Sequence, residues 1–359
     1  MKKQYFIIGF ILISNSLVGE STDLCTLEER VCALEQPCCT INPSARLYSC
    51  EKVNLLLSGS ALYWQASEGG LDFAMRNPTL SDTNQGKHSF KIPHSEWDWG
   101  FKLGADYLIA HDGWDLFLQW TRFHPESAQK SAAAIMGITP LLSPNSMLGL
   151  ADAAKTRWKL RLDLIDLDLG REFFVSRWLT LRPFAGLRSA WILQHLECSY
   201  TNTEILPDVF QTIDVGFKNN YWGLGLRAGL NADWGLGCGW SLYSDLAGSI
   251  LLGRFSLYET QDAWNLTSGA LIPGGLASYR DNFRASRFVF DLSLGVRYRN
   301  NLCCNRYELM AQLGWEQLLF FNQNQIEKIA ASSSGGSISV NNQGDLSAQG
   351  VTLTLGFGF

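Results

Sequence analysis

The feature that most constrains this chain is a hydrophobic period of two that recurs along nearly its whole length. Trp97, Trp99, Phe101, Leu103, Ala105, Tyr107 and Ile109 fall on odd positions, and Asp98, Gly100, Lys102, Gly104 and Asp106 fall between them. After His111-Asp112-Gly113 the pattern resumes, with Trp114, Leu116, Leu118 and Trp120 set against Asp115, Gln119 and Thr121. Successive side chains of a strand point to opposite faces, so each limb has one apolar face and one polar, glycine-rich face. Asp112-Gly113 suits a tight hairpin turn between them. A soluble sheet with one buried face alternates in the same way. A membrane is favoured because the limbs run to about a dozen residues, where a tilted spanning strand needs about 9–11. Trp and Tyr also sit near the limb ends, at the level of lipid headgroups.

Beyond the N-terminus no apolar run is long enough for a spanning helix. Alternation conceals an apolar wall from a hydropathy average, and the mean hydropathy is −0.02 although aromatic residues reach 12% and charged residues only 18%. The net charge of −5 lacks the basic excess expected for a nucleic-acid partner. Residues 1–21 read as a signal peptide: Lys2 and Lys3, then the apolar stretch from Tyr5 to Ile13, then small residues at Ser16, Gly19 and Ser21. Residues 22–53 form a Cys-rich periplasmic lead-in, and residues 54–359 the barrel.

Nine cysteines in an exported chain favour disulfides, and an odd number leaves at least one thiol free or paired between chains. Cys25, Cys32, Cys38, Cys39 and Cys50 crowd the lead-in. A zinc site is the competing reading, but their spacings lack the two-residue knuckle usual in such sites.

Strand candidates follow in order at 54–65, 97–109, 114–123, 158–169, 179–195, 222–234, 240–252, 288–298, 307–315 and 351–359. The expected fold is all-β: a transmembrane antiparallel β-barrel of about ten strands, with room for two more in the long loops. Leu71, Phe73 and Met75 mark one place for a further short strand, and the Pro- and Ala-rich segment 125–156 suits an outer loop folded over or into the pore. Trp158, Leu160, Leu162 and Leu164 hold one parity while Ile165, Leu167 and Leu169 hold the other, which predicts a β-bulge at Leu164-Ile165.

Long and short connections alternate, as they do between outer loops and periplasmic turns. The turns at 111–113, 176–178, 235–239 and 300–305 are then periplasmic. Cys238, Cys303 and Cys304 share that compartment with the five cysteines of the lead-in, and disulfides are expected to tie the barrel to its lead-in, to itself or to other Cys-rich envelope proteins. Cys198 is expected near the outer rim. The last strand, Val351, Leu353, Leu355, Phe357 and Phe359, ends on a C-terminal Phe, the pattern read by the outer-membrane barrel-assembly machinery.

The blocks Leu62-Tyr-Trp-Gln-Ala-Ser, Trp97-Asp-Trp-Gly-Phe, Trp114-Asp-Leu-Phe-Leu-Gln-Trp120 and Arg182-Pro-Phe-Ala-Gly-Leu-Arg188 are similar to the Legionella major outer membrane protein family, to which porin-like proteins of chlamydia-like bacteria are related. The resemblance spans most of the chain after the signal. It implies a cysteine-containing, pore-forming barrel in the outer-membrane lipid of a Gram-negative envelope.

In that frame the inward, pore-lining candidates are Lys102, Asp106, Lys159, Arg161, Asp163, Asp166, Asp168, Arg182, Arg188, Arg227, Asp245, Asp291 and Arg297. Rows of opposite charge select ions across a water-filled pore, or pair and plug a narrow barrel. The first reading gives a channel for passive diffusion of small hydrophilic solutes and ions. The second gives a non-conducting structural barrel, or an adhesin presenting its outer loops. His124, His195 and Glu197 near the rim come with no nucleophile motif and no metal motif, so no catalytic, cofactor or metal residue is expected.

Overall fold

The computed structural model describes residues 54–76, 89–93, 96–109, 113–132, 137–142, 151–206, 209–265, 277–302, 307–331, 337–341 and 343–359. The expected signal peptide, the lead-in with its five cysteines, and Cys303 and Cys304 lie outside them. Ten strands form the barrel: β1 (Leu55–Glu68), β2 (Trp97–Leu108), β3 (Trp114–Phe123), β4 (Ala153–Arg171), β5 (Leu179–Leu206), β6 (Val209–Gly237), β7 (Trp240–Asn265), β8 (Ala277–Leu302), β9 (Tyr307–Asn324) and β10 (Gly344–Gly358). Each pairs antiparallel with its neighbours in the chain, and β1 pairs β10, so the sheet closes on itself without a free edge. Closure removes the unpaired backbone groups that hydrocarbon could not satisfy.

Around the barrel runs a band of apolar side chains exposed on the outer face. On β6 it extends from Trp222 to Trp234 through Leu224, Leu226 and Leu230, and on β7 from Trp240 to Leu252. Aromatic clusters border it: Tyr63 stacks on Trp97, which meets Trp315 edge-on, and Trp240 lies against Tyr298. An apolar band between aromatic girdles is the lipid-facing surface of an outer-membrane barrel.

No bulge occurs at Leu164-Ile165: β4 runs in unbroken register against both β3 and β5. The two parities are real, but the surroundings change and the strand does not. Ile165, Leu167 and Leu169 point outward into the apolar band, whereas Trp158, Leu160, Leu162 and Leu164 point inward and are at most 3% exposed. Lys155, Arg157, Lys159 and Arg161 take the outward positions of the same stretch. Where the strand leaves the bilayer, its outer face meets water and its inner face becomes the core, so the apolar parity inverts with no extra residue.

The same extension corrects the connections between the strand candidates at 197–215 and 258–282, which the sequence reads as loops. Strands β5 and β6 continue as a paired ribbon through 197–206 and 209–216, β7 and β8 through 256–261 and 277–282, and 262–265 of β7 pairs with β6. Loop segments fold inward on this side: Ala74–Arg76 pairs with Ser89–Lys91 and with Ile138–Pro140, and Phe73 and Ile138 are fully buried. The hydroxyl of Tyr200 donates to the Phe73 carbonyl at 2.6 Å and pins this small sheet to the wall.

At the opposite end the connections are short. Gly113, Gly237 and Gly239 turn the chain at positive φ, and Cys238 between the last two takes φ 51°, a left-handed conformation natural to glycine. The barrel is sealed there by the C-terminus, where Leu55 and Phe359 exchange backbone hydrogen bonds at 3.2 and 3.0 Å and the Phe359 ring faces outward, 49% exposed. Phe359→Ala keeps those backbone bonds and removes only the ring. We expect a sharp fall in membrane-inserted, heat-modifiable barrel in cells while refolding in detergent is unaffected. Equal cellular yield would show that the ring is not the assembly signal.

Candidate functional site: the barrel lumen

Arginine and aspartate side chains from six strands meet across the middle of the lumen. Arg188 of β5 is 3% exposed. It grips Asp166 of β4 through Nε and Nη2 at 2.6 and 2.8 Å, and donates from Nη1 to Asp291 of β8 at 2.9 Å. Arg227 of β6 donates to Asp168 at 2.7 Å and to Asp291 at 3.0 Å. Bidentate guanidinium–carboxylate pairs of this kind are the strong, geometrically specific ones.

One layer toward the turn end, Arg182 donates from Nε to Asp115 of β3 at 2.8 Å and from Nη1 to Asn231 at 2.8 Å, and Asn231 in turn donates to Asp245 at 2.7 Å. Phe184 lies between the two layers, with Arg227 over its ring at 4.9 Å and Arg182 at 5.6 Å. Lys102 pairs with Glu316, and Arg297 with Asp233 and Gln312.

This belt lines a cavity of about 430 Å³ that reaches the turn end of the barrel, where Asn54, Thr180, Arg299 and Glu308 border it. At its other end lie Trp64, Leu164 and Leu318. Beyond them the lumen is filled. Leu62, Phe123, Leu162, Tyr221, Leu251, Phe255, Val289 and Phe320 project inward from the wall at 0–1% exposure, in one cluster that continues into Phe73 and Ile138 of the inward loops. Tyr221 and Phe255 lie tilted against each other with centroids 4.6 Å apart, and Trp64 meets Phe123 edge-on at 5.6 Å. The lumen is thus a polar vestibule at the turn end, a charged belt, and an apolar plug at the loop end. Small barrels fill their interior with side chains in the same way.

Of the expected pore-lining residues, Lys102, Asp106, Asp166, Asp168, Arg182, Arg188, Arg227, Asp245, Asp291 and Arg297 border the cavity. Lys159, Arg161 and Asp163 do not. They stand on the outer face of β4 beyond the apolar band, where Lys159 pairs with Glu126 at 3.4 Å and Asp163 with His124 at 3.0 Å. The assumed bulge carried them inward; without it they stay out. Asp115 and Asn231 were missing from the set. Asp115 alternates with Trp114 and Leu116, so its inward parity was visible, but its partner Arg182 lies 67 positions away and no local pattern announces the pair.

Two cysteines fall among the described residues. Cys198 is buried near the loop end, with Thr156 Oγ1 at 3.2 Å from its sulfur. Cys238 is an exposed free thiol at the β6–β7 turn.

The family model of the Legionella pneumophila major outer membrane protein precursor matches residues 47–359, which takes in every barrel strand. The chain belongs to that family. With the closed barrel and its apolar band, membership places the protein in the bacterial outer membrane. No curated protein matches the chain. Among solved structures it is similar to the outer membrane protease OmpT from Escherichia coli, at 10% identity over 88% of this chain and 99% of that one, with a TM-score of 0.41. A Pseudomonas aeruginosa FadL homologue follows at 9% identity over 85% and 90%, TM-score 0.26. A TodX monoaromatic hydrocarbon channel mutant follows at 8% identity over 88% and 92%, TM-score 0.28. What those three cleave or transport says nothing about this family member.

Proposed function

We propose that this barrel is a structural, non-enzymatic component of the outer membrane whose lumen is shut to passive solute flow. The observation that carries the reading is the apolar plug, fully buried side chains from most of the wall strands with two inward loop segments packed on them. The paired belt beneath supports it, because arginines that already hold their carboxylates at 2.6–3.0 Å have little capacity left for a passing ion. Cys238, exposed at a periplasmic turn, suits a disulfide to a neighbouring envelope protein, and the loop end suits contacts outside the cell.

A diffusion channel is the second reading, favoured by the polar vestibule of about 430 Å³ and its mixed charge. It requires the plug to part, since a closed apolar constriction bars hydrated ions. Liposome swelling in small neutral sugars separates the two. The folded protein should leave swelling at the rate of empty liposomes, and Trp64→Ala/Phe123→Ala, which removes two plug rings, should raise it. Swelling by the unaltered protein at the rate of an open porin would discard the structural reading in favour of the channel.

A further inference from the structure

The outer face carries an arrangement that neither the lumen nor the plug explains. Strands β6, β7 and β8 place Trp222, Arg254 and Arg284 in one cross-strand row, since Trp222 is the register partner of Arg254 on one side and Arg284 is its partner on the other. All three are exposed. The row toward the turns reads Leu224, Leu252 and Ser286, and the row toward the loops reads Asn220, Ser256 and Asn282. Leu252 is 65% exposed and closes the apolar band of β7, while Ser256 donates its hydroxyl to Asn282. The two arginines therefore stand on the line where hydrocarbon gives way to water, beside a tryptophan of the kind that settles at headgroup level.

Two like charges directly opposite on a sheet destabilise it. No ion pair or side-chain hydrogen bond joins the guanidinium of Arg254 or Arg284 to another described residue, in contrast to the arginines of the lumen. Among the described residues, the outward positions of β6 and β7 next to the pair carry no acid. The outward positions of β7 between Arg254 and Asp262 carry Ser256, Tyr258 and Thr260, and those of β6 between Trp222 and Asp214 carry Asn220, Lys218 and Gly216. Lys218 adds a third cation, its ammonium 5.8 Å from the Tyr258 ring. Register partners bring their Cβ atoms to about 4.5–5.5 Å, a spacing at which two guanidinium forks converge on one tetrahedral anion.

We propose that Arg254 and Arg284 clamp a phosphate of a phosphorylated outer-leaflet lipid, with Trp222 and Leu252 bordering its acyl chains. The level decides the source: Leu224 and Leu252 lie on the turn side of the pair and Asn220, Ser256 and Asn282 on the other, so an anion anchored in the bilayer arrives at this height by default.

The test is native mass spectrometry of the folded full barrel released from phosphatidylcholine nanodiscs doped with diphosphoryl lipid A. The unaltered protein should retain the lipid as a bound adduct. Arg254→Gln/Arg284→Gln, whose exposed positions leave the fold intact, should cut retention at least about tenfold, since it removes both charged donors. Arg161→Gln, an exposed arginine on β4, should leave retention unchanged. The proposal is overturned if the double variant holds as much lipid A as the parent, or if dephosphorylated lipid is retained equally. It is overturned too if inorganic phosphate displaces the adduct, because the pair would then bind a soluble anion.

Discussion

Replacing Arg188 with alanine should cost the folded barrel about 3–5 kcal/mol, the loss expected when one member of a buried ionic cluster is removed and its partners are left uncompensated. Asp166 is 2% exposed and receives both of its close contacts from Arg188, and Asp291 would keep only Arg227. The matched variant Asp166→Asn/Arg188→Met removes a positive and a negative charge together and should cost far less than the alanine variant, because no bare carboxylate remains at Asp166. Urea unfolding in lipid vesicles, followed by tryptophan fluorescence, reads both. A loss under about 1 kcal/mol for Arg188→Ala is what a hydrated, exposed pair would give, and would mean that water fills the belt.

Leu226→Arg probes the other face of the same wall. Leu226 is 72% exposed and sits well inside the apolar band of β6, flanked in register by Leu187 and Ile250. An arginine near the bilayer midplane of a barrel costs about 2–4 kcal/mol, falling to about 0–1 kcal/mol near the interface. Leu226→Arg should fall in the first range in vesicles and Thr260→Arg, on the outward face beyond the band, in the second. Equal costs at the two positions would place the bilayer elsewhere on the barrel.

How much of this was legible in the sequence depends on what each residue faces. The Trp97–Leu108 and Trp114–Phe123 hairpin, the run Trp222–Trp234 and the final strand ending at Phe359 declared both faces, because lipid outside and polar groups inside hold one parity over a whole strand. Ten strands and the alternation of long loops with short turns followed from them. The reading failed at β4, where Leu164 and Ile165 looked like a register error. A strand that outlasts the membrane exchanges lipid for water on its outer face and acquires a dry core on its inner one. The lysines and arginines alternating with Trp158, Leu160 and Leu162 are the available signal of that exchange, but an expected bulge turns Lys159 and Arg161 toward the pore. The plug is hidden for the same reason: Tyr221 and Phe255 lie just beyond the strand candidates 222–234 and 240–252, on the part of the wall that outlasts the membrane. Partners such as Arg182 and Asp115 become neighbours only when the barrel closes.

Single-channel recording of the folded barrel in a planar bilayer tests the closed lumen most directly. The paired belt and the apolar plug predict a silent trace for the unaltered protein and unitary steps for Trp64→Ala/Phe123→Ala. Discrete ohmic steps from the unaltered protein would contradict the account, and their ion selectivity would then show whether Arg188 and Arg227 or Asp166 and Asp291 govern the constriction.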